Sequence, residues 1–137
     1  MSYLTAPALQ EAVYGCLSAD PLLVSLVGSA VFDCPPQGMP PAEYVLVGAE
    51  DALDRSDKTG RATLFRFTVS VRGTGGGFHR VKEIAAAVDA ALTAVPLNLG
   101  VGRLVALDFE RARARRDRAG TARQIDLRFR ALVDETA

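Results

Sequence analysis

Five arginines crowd into eight residues, Arg111, Arg113, Arg115, Arg116 and Arg118. A guanidinium presents a planar fork of donors that matches carboxylates and phosphates, so such a cluster is suited to holding an acidic partner. Arg111, Arg113 and Arg115 continue the alternation of Val105, Leu107 and Phe109. The apolar face of a strand is therefore expected to turn basic where its hairpin leaves the core. One reading is a solvated hairpin tip whose arginine stems cover the sheet edge. The other is a protruding arm that meets acidic surface on a partner subunit. Direct DNA binding is the weakest reading, because no aromatics interleave with the arginines and the whole chain is neutral.

A second charged stretch, DALDRSDKTGR at Asp51–Arg61, carries Asp51, Asp54, Arg55, Asp57, Lys58 and Arg61. With Glu50 its carboxylates imitate an oxygen-ligand metal site, but the spacing is not that of a calcium loop, and the intervening cations compensate the charge. A solvated loop, mobile when free and a second partner-contact arm, is the expectation. Gly73–Gly77 before a helix invites a phosphate-loop reading. It lacks the Gly-Lys-Ser/Thr ending and the dinucleotide-fold spacing, so it reads as a flexible turn. His79 is the only histidine. With no paired nucleophile and base and no metal-ligand spacing, no catalytic residue, metal or cofactor is assigned.

These residues need a scaffold, and the chain spells one out. Leu9, Val13, Cys16 and Leu17 recur at helical spacing from Ala6 to about Leu17, with Thr5 positioned to cap. Asp20-Pro21 opens a second short helix that Gly28 stops. Strands are expected at Ala30–Asp33 and Tyr44–Glu50, on either side of a proline-rich turn. Thr63–Arg72 alternates cleanly, with Phe65, Phe67, Val69 and Val71 opposite Arg66, Thr68, Ser70 and Arg72. A helix from Phe78 to Ala94 buries Val81, Ile84, Ala85, Val88 and Leu92. Arg103–Arg115 and Ala122–Val133 form a long hairpin. The fold class is α+β: a single antiparallel sheet of about four main strands with helices packed on one face.

The length of 137 residues makes a single domain over residues 1–137. Sixteen basic residues balance sixteen acidic ones, which argues against bulk electrostatic grip on nucleic acid. The start lacks the basic and apolar regions of a signal peptide, and no apolar run is long enough to cross a bilayer. Cys16 and Cys34 are expected to stay reduced.

In its order of landmarks the chain resembles the tail-terminator (tail-completion) proteins of long-tailed phages and gene transfer agents. The landmarks are Leu22-Leu23 after Asp20-Pro21, Val31-Phe32-Asp33 with its proline turn, Tyr44-Val45, Phe67-Thr68-Val69-Ser70-Val71, and Leu127 through Val133. The resemblance implies a structural virion protein without enzyme activity. It implies a ring, typically a homohexamer, that caps the tail tube and joins it to a head-completion (stopper) protein, with DNA passing through and no sequence-specific nucleic-acid contact. It places the protein at the neck–tail junction, made in the bacterial cytoplasm, with no membrane partner. A small α+β ligand-binding or regulatory domain is the alternative.

Overall fold

A computed structural model describes residues 3–75, 77–94, 96–117 and 120–135. Three helices, α1 (Ala6–Ala19), α2 (Pro21–Val27) and α3 (His79–Ala94), combine with five strands. These are β1 (Val31–Phe32), β2 (Glu43–Asp54), β3 (Ala62–Thr74), β4 (Arg103–Arg116) and β5 (Ala122–Asp134), in the sheet order β1-β2-β3-β5-β4.

Leu9, Val13 and Leu17 of α1 are buried as their spacing requires, and Cys16 is half-buried with its thiol donating to the Ala91 carbonyl at 3.4 Å. Thr5 does not cap α1: it has helical φ and ψ of −89° and −3°, and its side chain makes no cap hydrogen bond. Asp20 does cap α2, accepting from the Leu23 backbone N–H at 3.0 Å. Gly28 ends that helix at φ 63°, a value that favours glycine. Replacing Asp20 by Ala is expected to cost about 1 kcal/mol, the usual worth of such a cap. A denaturant midpoint unchanged by the substitution would contradict the assignment.

The alternating residues of β3 and β5 supply the sheet's share of the core. Phe65, Phe67, Val69 and Val71 are buried with Ile125, Leu127, Phe129, Ala131 and Val133. Val81, Ile84, Ala85, Val88 and Leu92 of α3 join them in one hydrophobic cluster, together with Leu9, Val13 and Leu17. Strand and helix come unusually close at Gly73, where an added Cβ would stand 2.7 Å from Val81 Cγ1. Gly73 belongs to β3, so the glycine-rich turn is shorter than its sequence suggests. Gly76 of that turn lies outside the described residues.

Two expectations change. The sheet is not wholly antiparallel, because β1 is two residues long and pairs parallel with β2, Val31 opposite Val45. Parallel neighbours need a connection that carries the chain back to the starting end. Residues 33–42, with four of the seven prolines, make that return in place of a hairpin. Strand β2 also outruns its apolar segment and continues to Asp54, pairing Asp51 with Arg66 and Asp54 with Thr63. The polar connection is therefore residues 55–61.

Candidate assembly surfaces

Strand β4 lies at the sheet edge, and its register shifts twice, between Leu104 and Ala106 and between Phe109 and Arg111. Val105 and Glu110 are the extra residues, and each bulge reverses the side-chain alternation beyond it. Leu104, Leu107 and Phe109 stand opposite Val133, Ala131 and Phe129, on the core side. Past Glu110 the core side is continued by Ala112 and Ala114, opposite Leu127 and Ile125. Arg111, Arg113 and Arg115 pair instead with Arg128, Asp126 and Gln124. Directly opposed residues share a face, so these arginines project from the outward side of the sheet. The expectation that the apolar face itself turns basic is thereby corrected. Val105, expected in the buried series, is 45% exposed.

The same outward face carries Arg66 and Arg72 of β3 and Arg128 and Arg130 of β5. Glu110, pushed out by its bulge, gathers three of them: its carboxylate lies 3.3 Å from Arg66, 3.4 Å from Arg130 and 4.0 Å from Arg128. Asp126 accepts from Ser70 at 2.7 Å and Gln124 at 2.8 Å, and lies 3.4 Å from Arg115. Partial burial pushes the Asp126 carboxyl up, but the Gln124 and Ser70 hydrogen bonds and the Arg115 charge together hold it below its usual value. Arg111 and Arg113 have no acidic partner among the described residues. Arg116 stands apart on the other side, its guanidinium 5.8 Å from the Phe78 ring centre, near Arg123 at 5.6 Å. Arg118 lies outside the described residues. Glu110, Arg66, Arg128 and Arg130 were not among the candidates; the polar alternation of β3 and β5 pointed to the three arginines, but their convergence on one carboxylate depends on the bulge.

The other charged group sits at the opposite end of the sheet, where β2 turns into β3. Asp51 and Asp54 are strand residues, whereas Arg55, Asp57, Lys58 and Arg61 belong to the turn. Asp57 Oδ1 accepts from the Thr59 backbone N–H at 2.8 Å, its hydroxyl at 2.9 Å and the Gly60 N–H at 2.9 Å. Those donors hold the Asp57 carboxyl below the usual range, as the Ser56 hydroxyl and N–H do for Asp54. The Arg55 N–H also reaches the Ala62 carbonyl at 2.9 Å, so the turn has an internal scaffold that its composition concealed.

At the far turn Asp117 is depressed in the same way, by donors at Ala122, Thr121 and Gly120. A carboxyl depressed in the folded chain stabilises it above the unfolded pKa, and that contribution fades as pH falls through the folded value. Both hairpin ends are therefore expected to hold between about pH 5 and 7 and to loosen below about pH 4. Amide exchange at Thr59, Gly60 and Thr121 reads this directly; protection that persists or rises below that range would contradict it.

His79 is almost fully exposed, 3.4 Å from Glu83. Among the described residues no three His, Cys, Asp or Glu side chains group to hold a metal ion.

The family model for "Tail completion protein gp17" matches residues 11–134. The chain belongs to the tail completion protein family. The tail completion protein also matches a solved chain from the "Virion of native gene transfer agent (GTA) particle". The two are 49% identical, with a TM-score of 0.91 over 97% of this chain and 99% of the other. No curated protein matches it. As a tail completion protein it is a structural protein of the virion tail. No helix among the described residues is long and apolar enough to cross a membrane.

Proposed function

We propose that this tail completion protein is a ring-forming terminator at the head–tail junction. Copies of the chain, six as the family resemblance implies, close into a ring that caps the tail tube and joins it to the head-completion protein. The observation that carries this reading is the near full-length agreement with a chain of a native gene transfer agent virion, at 49% identity. The two charged groups support it. One lies on the β4–β5 half of the outward face and the other at the β2–β3 turn, so a single copy offers distinct contacts at opposite ends of its sheet. A ring of identical subunits needs such unlike patches, because each copy contacts its neighbour through two different surfaces. The role involves no catalytic step and no cofactor.

The test is a producing strain that lacks the gene. Its particles are expected to show tails of uncontrolled length, or full tails that fail to join heads, when viewed by electron microscopy. Tails of normal length attached to heads would overturn the proposal.

A further inference from the structure

At the β2–β3 end the outward face is not uniformly polar. Three cross-strand rows succeed one another there: Ala62, Asp134 and Arg103; then Leu64, Leu132 and Ala106; then Arg66, Arg130 and Asp108. The middle row is an apolar strip between two charged ones. Leu64 and Leu132 lie outside the protein's own core cluster. The turn at residues 55–61 walls the strip on one side, leaving Leu64 only 4% exposed, and the bulged Val105 lines it as well. The result is an open groove of about 670 Å³ with an apolar floor and a charged rim. On that rim Asp57 is turned into its own loop, and Asp134 lies 3.6 Å from Arg103. Arg55 and the adjacent Lys58 have no acidic partner among the described residues.

The same chain carries a matching knob. Met39 is 95% exposed, the most exposed large apolar side chain among the described residues. It sits in the proline-rich return between β1 and β2, where residues 33–42 include one acid, Asp33, and no base. Proline limits the backbone freedom such a segment loses on docking. Methionine adapts its shape to an irregular apolar floor. The knob lies by the β1 edge at the end of the sheet where Thr74 meets Ala42. The groove lies at the opposite end, toward the β4 edge. One chain cannot bring the two together, but a head-to-tail pair can.

We propose that the Met39 loop of one copy seats in the Leu64–Leu132 groove of the next, as the repeating contact of the ring. This rests on the terminator reading and supplies its subunit interface. The acidic loop meets the cationic side of the rim while Met39 covers the apolar strip.

The test uses assembled particles carrying Met39→Cys and Val105→Cys together in a Cys34→Ser background, treated with a short bis-maleimide. Each single variant can link at most a pair of copies through its new thiol. The double variant is expected to give a ladder that runs past the dimer to the full ring. Monomers or dimers alone, with rings still visible by electron microscopy, would overturn the contact and leave the ring reading standing. Absence of rings in particles of the unaltered protein would remove both. Independently, Met39→Glu is expected to lower the amount of the protein in particles by about tenfold or more. Its thermal midpoint should not move, because the side chain touches little in the free chain. Undiminished incorporation would count against the proposal.

Discussion

Phe129→Ala is expected to destabilise the domain by about 3–5 kcal/mol, a large part of the whole stability of a domain this size. Phe129 is fully buried on β5, the strand that β3 and β4 flank. Its ring stacks on Phe67 at 5.6 Å and meets Phe109 edge-on at 6.0 Å. Truncation removes both aromatic contacts and leaves a cavity beneath α3 that rigid strands on either side cannot close. Phe109 would lose the most, since its other side already faces solvent at the sheet edge. Phe129→Leu keeps most of the volume and should cost less than half as much. Urea midpoints for the pair provide the measurement. A loss below about 1 kcal/mol for the alanine variant would show that the site relaxes in a way the packing does not suggest.

The second large effect is expected on assembly and not on folding. Reversing Arg111 and Arg113 together to Glu should reduce incorporation into particles by about a hundredfold, as two contacts with an acidic partner turn repulsive. These two are chosen because neither holds an acid among the described residues, whereas Arg115 is paired with Asp126. Both are exposed, so the thermal midpoint should shift by only a few degrees, most of it from setting a carboxylate at position 113 opposite Asp126. Raising the salt concentration should weaken the unaltered contact in the same direction. Full incorporation of the double variant would remove these arginines from the partner surface.

Much of the scaffold was legible because its residues face a core on one side only. The stripes of α1 and α3 and the alternation of β3 and β5 each report a simple period, and each is buried where the period places it. The features that escaped are those whose cause is not local. Nothing in the residue types at Val105 or Glu110 marks a bulge, so alternation carried straight through β4 assigns the arginines to the wrong face. Strand β2 continues past Glu50 through Asp51 to Asp54 because the backbone ladder with β3 holds it, although those side chains look like a loop. The parallel seat of β1 depends on a partner separated from it by the proline-rich return. For the assembly surfaces the two charged groups were visible as composition. Their placement at opposite ends, and the convergence of Arg66, Arg128 and Arg130 on Glu110, required the register.

The bulges of β4 also bear on how long the chain survives before it is used. A fourteen-residue strand at an open edge presents a row of unpaired backbone groups to any extended polypeptide that drifts past. Val105 and Glu110 break that row into two short uninterrupted runs, Ala106–Phe109 and Arg111–Arg116, and the second bristles with arginine. A stray strand finds too short a ladder and too much charge to settle. The β4 edge is thereby a poor template for chance strand pairing between copies, which lowers the tendency of the folded chain to aggregate through it.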